Sequence, residues 1–362
     1  MKTTRRNFLR VTSLGLALPF VPAIPAIHAG ESSPEWRFGI IPDTQWKTNM
    51  EAPFYGTAIH IIDAINAEMI RQKVDFVLEV GDLVEEAFSE AFQTRAQHNK
   101  ILNENGIKFY PLRGNHDSNN SISPVRCGIA VAQYRAAFPN LPGISGNSGS
   151  SPDLPNAAGM TYSFTHKNGK FLLLDTFPLV DDGSEDGKAY KISDYQSWID
   201  TELSKKDHRF ALVFAHKDLL GQNHKDNVFS DDKTNQDSFP ETQNAFIASL
   251  QRHGVRNFIC GHDHMYHRSR IKSPDGKSEV QQIICGSAAH KFYLPEPPFL
   301  ARETSLVKEL NRIGFLIVHV NNDGIRIDYH STEPFGREKF LPKWEICDSF
   351  TDLFGDSLNR TT

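Results

Sequence analysis

Five groups of polar side chains follow five short apolar runs of this 362-residue chain. They are Pro42-Asp43-Thr44-Gln45, Gly81-Asp82, Gly114-Asn115-His116-Asp117, Ala215-His216 and Gly261-His262-Asp263-His264. Each group alone is equally typical of a turn, because Gly, Asp and Asn are common turn residues. Together they offer the nitrogen and oxygen ligands that borderline to hard divalent cations prefer. The pattern therefore predicts one metal site assembled from five places along the chain.

The apolar runs that precede these groups predict β-strands. They are short and mostly apolar throughout, which is typical of strands covered on both faces. The predicted strands are 38–41, 74–80, 107–112, 171–174, 210–214, 257–260 and 282–285. In α/β sheets, ligand sites lie beyond the carboxyl ends of the strands. We therefore expect the five polar groups to converge in the folded chain.

Helical patterns between the strands complete an α/β arrangement. Apolar residues between 61 and 69 recur on one helical face. Ser193 and Ser238 are each followed three residues later by Gln or Glu, a capping-box pattern that predicts a helix start. Near the end of the chain, the apolar runs 315–320 and 325–330 flank Asn-Asn-Asp-Gly, which predicts a β-hairpin.

The order of the five groups resembles the motifs of the calcineurin-like metallophosphoesterases, which run D-x-H, G-D, G-N-H-D/E, H and G-H-x-H. The resemblance extends from Asp43 to His264, and the C-terminal hairpin is also similar to that family. It implies a four-layer αββα sandwich, a fold of the α/β class with a single catalytic domain. We place this domain at 36–335 and a C-terminal surface extension at 336–362.

The resemblance also implies two divalent metal ions, with Mn, Zn and Fe as the alternatives. By this resemblance, the first ion would be held by Asp43, Gln45 and His264, and the second by Asn115, His216 and His262. Asp82 would bridge the two ions. His116 is similar to the family's histidine that steadies a phosphoryl oxygen or protonates the leaving group. The implied reaction is hydrolysis of phosphomonoesters or phosphodiesters by attack of a metal-bridging hydroxide.

The chain departs from the family pattern in two places. Gln45 stands where the family usually has His, and an amide oxygen is a weaker ligand than imidazole. A subset of the family is similar in this respect, so we expect a weakened or water-completed first site. Glu85 stands where the family's phosphoprotein phosphatases have an Asp, which argues against protein phosphatase specificity.

Several residues beside the ligand groups are candidates for contact with the substrate. The cationic candidates are Arg113, Lys217, His267 and Arg268, because cations pair well with phosphate oxygens. Solvated charges at the rim are the alternative interpretation, since most surface charges contribute little. His224 and Tyr266 are further candidates for substrate contact.

Alternative functions remain open at this level. Within the enzymes, the alternatives are a nucleotide pyrophosphatase or a cyclic-nucleotide phosphodiesterase, and D-x-Q also resembles the manganese-dependent ADP-ribose diphosphatases. A non-catalytic metal-binding scaffold is an alternative of a different class. The chain has no G-x-S-x-G, H-E-x-x-H or G-x-x-x-x-G-K motif, which excludes the serine hydrolases, zincins and P-loop enzymes that carry them.

Residues 1–29 are predicted to be an export signal. They combine Arg5-Arg6, an apolar stretch from 11 to 27 and a small residue at Ala29. This arrangement resembles the bacterial twin-arginine signal, which implies the twin-arginine export machinery as a partner and a periplasmic or secreted location. A membrane anchor is the alternative, although three prolines interrupt the apolar stretch.

The charge balance narrows the classes of partner. The chain has 39 basic and 44 acidic residues, a formal net charge of −5. All four charged residues of 1–29 are basic, so cleavage after Ala29 leaves a net charge of −9. An acidic protein is a poor general binder of nucleic acid, and no later segment is apolar enough to span a membrane. The family resemblance implies a small phosphate ester as the substrate instead.

The four cysteines do not form a metal-binding or redox motif. Cys260 and Cys285 each end an apolar run and are expected to be buried thiols in strands. A disulfide between them remains open, because an exported protein meets an oxidising compartment.

Overall fold

The computed structural model of the protein describes residues 35–45, 56–118, 126–144, 146–181, 187–334 and 342–355. The predicted export signal lies outside these residues and stays a prediction. Within the described ranges, no helix is both long enough and apolar enough to cross a membrane.

Strands and helices alternate through most of the described chain. The strands are β1 (Trp36–Ile41), β2 (Phe76–Val80), β3 (Lys108–Leu112), β4 (Tyr162–His166), β5 (Gly169–Leu174), β6 (Pro178–Val180), β7 (Lys188–Ala189), β8 (Phe210–Ala215), β9 (Asn257–Cys260), β10 (Tyr266–Lys272), β11 (Glu279–Cys285), β12 (Glu303–Glu309), β13 (Ile313–Val320), β14 (Gly324–Thr332) and β15 (Glu345–Leu353). The helices are α1 (Gly56–Gln72), α2 (Ser89–His98), α3 (Lys100–Glu104), α4 (Cys127–Ala137), α5 (Ile192–Ser204) and α6 (Pro240–Arg252). Every predicted strand and the predicted C-terminal hairpin are present, with boundaries that differ by a few residues.

The strands form two large sheets and one small one. The six-stranded sheet has the order β15-β14-β13-β1-β2-β3, and the seven-stranded sheet has the order β12-β10-β11-β9-β8-β5-β4. Strands β1, β2 and β3 are parallel, as are β5, β8, β9 and β11. The remaining pairs of these two sheets are antiparallel. Each large sheet therefore combines a block of parallel strands with antiparallel strands, which lie on one side of the block in the six-stranded sheet and on both sides in the seven-stranded sheet.

Aromatic side chains join the two large sheets face to face. The ring of Phe171 in the seven-stranded sheet lies 5.2 Å from that of Phe38 and 5.1 Å from that of Phe76, both in an edge-to-face arrangement. Helices cover the outer faces, where Ile65 of α1 and Phe246 of α6 are fully buried. These layers confirm the predicted αββα sandwich, since burial on both faces explains why the central strands are apolar throughout.

The two predicted capping boxes are wrong in their residues, although both helices exist. Helix α5 begins at Ile192, and the carboxylate of Asp194 accepts the backbone N–H of Lys191 at 2.8 Å. The hydroxyl of Ser238 donates to the carbonyl oxygen of Asn235 instead of capping α6. A pattern four residues long cannot distinguish these arrangements, because Asp and Gln both accept hydrogen bonds.

Strand β15 is an element that the sequence did not predict. It pairs antiparallel with β14 and forms the edge of the six-stranded sheet. The carboxylate of Asp348 in β15 accepts hydrogen bonds from Tyr266 and Arg268 of β10, the second strand of the other large sheet. Residues 345–353 therefore link the two large sheets. The domain boundary at residue 335 stays a prediction.

Candidate metal centre

The five polar groups meet where the two large sheets adjoin. Asp43, Asp82 and Asn115 follow the parallel strands β1, β2 and β3 of one sheet. His216 and His262 follow β8 and β9 of the other sheet. The ligand atoms of Asp43, Asp82 and His216 all lie within 4.8 Å of one another. The carboxyl ends of five strands from two sheets thus supply one cluster, as predicted from the order of the motifs.

Strained backbone marks this cluster. Asp43, Gln45, Asp82, His262 and His264 all have positive φ angles, between 34° and 69°. This left-handed region is unfavourable for residues with a side chain, and such strain tends to collect at functional sites. The strained positions coincide with five of the seven predicted ligands.

Glycines of the motifs allow the ligand residues to approach closely. A Cβ atom on Gly114 would overlap the carboxylate of Asp82, and one on Gly261 would overlap the carboxylate of Asp43. Neither glycine has a positive φ, so close approach is the constraint at both. At Gly81 the φ is +102°, which is the tight turn that the sequence predicts.

The two carboxylates are buried and are held by backbone and amide donors. Asp82 accepts the N–H of His116 at 2.9 Å and the side-chain amide of Gln45 at 3.0 Å. Asp43 accepts the N–H of His262 at 3.0 Å. Burial, together with the nearby charge of Asp82, raises the pKa of Asp43 well above its ordinary value. Burial opposes ionisation of Asp82 as well, but the nearby His216 and His116 outweigh it and hold the pKa of Asp82 well below its ordinary value.

The imidazole rings of three histidines are oriented in the same way. In His216, His264 and His116, Nδ1 donates to a backbone carbonyl oxygen, at 3.0, 3.1 and 2.8 Å respectively. These oxygens belong to Val80, Lys291 and Glu85. Such a bond fixes the tautomer of a histidine and leaves Nε2 free to bind a metal ion or a substrate.

The Nε2 atoms of these rings point toward the carboxylates. Nε2 of His216 lies 3.4 Å from Asp82, and Nε2 of His264 lies 3.7 Å from Asp43. Nε2 of His116 is 4.0 Å from Asp82. Burial opposes protonation of His216, but the charge of Asp82 outweighs it and raises the pKa of His216 to about 9. Nε2 of His216 also lies 3.0 Å from the side-chain oxygen of Asn115.

His262 is oriented differently. Its Nε2 lies 3.5 Å from the carboxylate of Asp226, which is also paired with Lys217. Burial lowers the pKa of His262 to about 4. The ring is therefore neutral at pH 7.

These residues fit divalent metal ions. The side-chain oxygen of Gln45 is buried and has no hydrogen-bond partner in the ranges that the structure describes. An unpartnered buried oxygen is costly, and a cation at this position would satisfy it. The donor set of carboxylate, amide and imidazole suits Mn, Zn or Fe. Asp43, Asp82 and His216 form the cluster itself. The other predicted ligands each lie beside one of these three: Gln45, Asn115, His262 and His264.

Thr44, the middle residue of the Asp43-Thr44-Gln45 turn, holds the turn in place through hydrogen bonds of its hydroxyl group. The Thr44 hydroxyl donates to the carboxylate of Glu79 at 2.6 Å and accepts the Nε–H of Arg95 at 3.2 Å. Arg95 and Glu79 also form an ion pair, and both side chains are completely buried. This network holds the turn that carries two of the candidate ligands.

Asp117 joins two motif turns. Its carboxylate accepts the backbone N–H groups of Gly114, Leu83 and Val84, at 2.8 to 3.1 Å. Burial and the charge of Asp82 raise its pKa to about 8. The sequence includes Asp117 in a motif but gives no sign of this positioning role, which depends on contacts 33 and 34 residues away along the chain.

The four cations predicted to contact substrate all have partners inside the protein. Arg113 pairs with Asp175 at 2.7 Å, and Lys217 pairs with Asp226 at 2.9 Å. The other two contacts are Arg268 with Asp348 at 2.8 Å and His267 with Ser305 at 2.9 Å. Their contact with substrate stays a prediction.

All four cysteines are free, so Cys260 and Cys285 are buried thiols in strands.

His224 lies beside the metal centre, as its proposed contact with substrate requires. Its ring centre is 4.2 Å from that of His262, and its Nδ1 is 2.9 Å from Asp263. Asp263 also accepts the N–H groups of Asn223 and His224, at 2.9 and 2.8 Å. Asp263 therefore directs its carboxylate to the loop that contains Asn223 and His224, and it fixes that loop beside the metal centre. Tyr266 is buried against β15.

Comparison with known proteins agrees with this geometry. Residues 37–266 match the family model described as calcineurin-like phosphoesterase. Similar solved structures include PhoD, with 14% identity, a TM-score of 0.57 and coverage of 90% of this chain and 71% of that one. No curated protein matches the chain.

Two further solved structures share the fold. One is the purple acid phosphatase PPD1 from yellow lupin (Lupinus luteus) seeds, with 14% identity, a TM-score of 0.59 and coverage of 88% of this chain and 54% of that one. This chain thus spans about half the length of the plant enzyme. The other is GAP50, the anchor in the inner membrane complex of Plasmodium, with 17% identity, a TM-score of 0.51 and coverage of 90% of both chains. Since the family match covers well over half of the chain, the protein belongs to the calcineurin-like phosphoesterases and is a metal-dependent hydrolase of phosphoric esters.

Proposed function

We propose that the protein is an exported phosphoesterase that uses two divalent metal ions to hydrolyse phosphomonoesters or phosphodiesters. The observation that carries this proposal is the position of Asp82 between the ligands from the two sheets. Gln45 contacts its Oδ2 atom, and His216 lies 3.4 Å from its Oδ1 atom. A carboxylate with a separate set of neighbours at each oxygen is suited to bridge two cations.

The chain's residues divide into two ligand sets around Asp82. Asp43, Gln45 and His264 would hold the first ion, and Asn115, His216 and His262 would hold the second. When bound, two such ions lower the pKa of a water molecule and neutralise charge on phosphoryl oxygens. The protein's own contribution is to hold the ligands by backbone hydrogen bonds before substrate arrives.

His116 is the residue that we assign to proton transfer. Its Nδ1 donates to the carbonyl oxygen of Glu85, so Nε2 is the atom that faces the site. When both ring nitrogens carry a proton, Nε2 can donate a hydrogen bond to a phosphoryl oxygen or a proton to the leaving oxygen. The backbone N–H of His116 holds Asp82, so one residue positions the bridging carboxylate and also meets the substrate.

The test of this function is a metal-reconstitution experiment on the purified full chain. We expect Asp82→Asn to lower the bound metal and to reduce hydrolysis of p-nitrophenyl phosphate by more than about a hundredfold, because ligand geometry is lost. Asp63→Asn is the matched control, since Asp63 lies half-exposed beside His98, away from the ligand residues. Metal content by elemental analysis and turnover of monoester, diester and nucleotide panels are the measurements. Unchanged turnover in Asp82→Asn would refute the assignment of the site.

The location of the enzyme is a separate proposal. We propose that residues 1–29, with Arg5-Arg6, direct the chain to the twin-arginine export machinery and so to the periplasm or the medium. The double substitution Arg5→Lys, Arg6→Lys keeps the charge of the segment and removes the arginine pair. We expect wild-type activity outside the cytoplasm after cell fractionation, and the variant retained inside. Equal distribution of the two proteins would rule out this route.

A further inference from the structure

Lys291 is a cation beside the metal centre to which neither the sequence motifs nor the family match assigns a role. It lies between β11 and β12, is partly buried, and its backbone oxygen accepts a hydrogen bond from the candidate ligand His264. In the ranges that the structure describes, Lys291 forms no ion pair with a carboxylate. Burial opposes its ionisation, but the side chains of Tyr293 and Glu85 outweigh this effect and raise its pKa.

The chain around Lys291 is fixed in place, which distinguishes this lysine from a mobile surface charge. We call residues 286–298 the rim segment. At one end, the N–H of Ala288 donates to the carbonyl oxygen of Pro42, directly before the candidate ligand Asp43. At the other end, the N–H of Glu296 donates to Gln222, in the loop that Asp263 holds. The rim segment is therefore attached on both sides to residues that also position ligands.

Ring contacts place the rim segment against the metal ligands. The ring of Tyr293 lies 5.1 Å from that of His264 and 4.8 Å from that of His224, nearly perpendicular to both. Nζ of Lys291 is 5.5 Å from the centre of the Tyr293 ring. Tyr293 and Lys291 thus lie beside the first-ion ligands, and His224 lies beside the second-ion ligand His262.

The charge of Lys291 is unfavourable for the metal centre alone. The backbone of Lys291 is joined to the candidate ligand His264 by a hydrogen bond, and its Nζ lies over the ring of Tyr293, which contacts the same histidine. A lysine next to divalent cations repels them, and this cost is offset when an anion lies between the two. The cationic candidates predicted from the sequence already contact acceptors inside the protein, whereas Lys291 forms no ion pair in the described ranges.

We propose that Lys291 binds a non-bridging oxygen of the substrate's phosphoryl group and so favours dianionic phosphomonoesters over monoanionic phosphodiesters. This inference rests on the proposed function, because it places the phosphoryl group at the metal centre. The inference adds to the proposed function the class of phosphate ester that the enzyme prefers. A monoester carries a second negative charge on the transferred group, whereas a diester replaces that charge with an organic substituent.

The experiment compares three variants of the full chain after reconstitution with Mn²⁺. Lys291→Met removes the charge and keeps the length, Lys291→Arg restores a charge, and Lys277→Met is the control. Lys277 is 81% exposed and pairs with Asp275 in the turn between β10 and β11. We measure binding of inorganic phosphate by calorimetry, kinetics on p-nitrophenyl and bis-p-nitrophenyl phosphate, and bound metal.

We expect Lys291→Met to weaken phosphate binding and to raise KM for the monoester on the order of tenfold, as loss of one charge-assisted hydrogen bond implies. Metal content and kinetics on the diester should change less than about twofold, since neither depends on that bond. Lys291→Arg should recover most of the phosphate affinity. A purely structural role for Lys291 would instead affect monoester, diester and metal content together.

The outcomes separate this inference from the proposed function. Equal losses on both esters, or phosphate binding unchanged in Lys291→Met, would overturn the role of Lys291. If the wild-type protein binds phosphate and Lys291→Met does not, but neither hydrolyses any ester, the proposed function fails and the anion site stands. If the wild-type protein hydrolyses esters but binds no phosphate, the proposed function stands and the role of Lys291 is overturned.

Discussion

At the scale of single residues, the motif glycines matter mainly because they have no side chain. Gly114 and Gly261 lie against the carboxylates of Asp82 and Asp43, where any side chain would displace a ligand. From the sequence, Gly beside a ligand predicts a tight turn, and this is correct for Gly81. The contact made by Gly114 is with a residue in another turn, so no local pattern could predict it.

We expect Gly114→Ala to disable the site without unfolding the protein. The added methyl group would push the Asp82 carboxylate away, and misplacement of a catalytic group by about 1 Å costs on the order of a hundredfold in rate. Gly128→Ala in α4 is the matched control, since its Cβ would meet nothing closer than 3.9 Å. Aryl phosphatase activity, bound metal and circular dichroism should be measured on both. Full activity in Gly114→Ala would contradict the close approach described here.

The candidate ligands were predictable and the substrate contacts were not, for one physical reason. Ligands such as Asp43 and His216 follow apolar strands, and the geometry of parallel sheets brings strand ends together. Whether a cation such as Arg113 or Lys217 is free depends on its partners, Asp175 and Asp226. Asp175 lies 62 residues from Arg113 along the chain, so only the folded structure shows that the pair exists.

At the scale of elements, the strands and helices followed from their apolar patterns, but their ends did not. Helix α5 begins one residue before the predicted capping serine, with Asp194 as the acceptor. Strand β15 was not predicted because exposed and polar residues dominate it, as expected for a strand at the edge of a sheet. What holds β15 in place is specific contact between its side chains and distant strands.

Those contacts can be tested at Asp348, the residue by which β15 reaches the seven-stranded sheet. We expect Asp348→Asn to lower the free energy of unfolding by about 1–3 kcal/mol, because Arg268 and Tyr266 lose a charged acceptor away from solvent. Asp323→Asn, at an exposed position of the β13–β14 hairpin, is the control. Urea denaturation measures both variants. Equal stability of Asp348→Asn and the wild-type protein would mean that this contact contributes nothing.

At the scale of the whole molecule, the metal centre requires both large sheets, because neither sheet alone carries all of the candidate ligands. One sheet supplies Asp43, Asp82 and Asn115, and the other supplies His216, His262 and His264. Aromatic packing between the sheets and the contacts of β15 set the distance between these two halves. A substitution that loosens the sheet interface therefore changes the spacing of the ligands even where it touches none of them.

The place of β1 in the six-stranded sheet also sets the timing of assembly. β1 is the first strand of the described chain, yet it lies in the interior of its sheet, with β2 on one side and β13 on the other. During synthesis, β1 keeps one edge unpaired until residue 320 has left the ribosome, because Trp36 pairs with Val320. Contacts between such distant segments form slowly. Asp43, two residues beyond β1, therefore gains its final position only after β13 has been made and has paired with β1, and the metal site cannot be enclosed before that step.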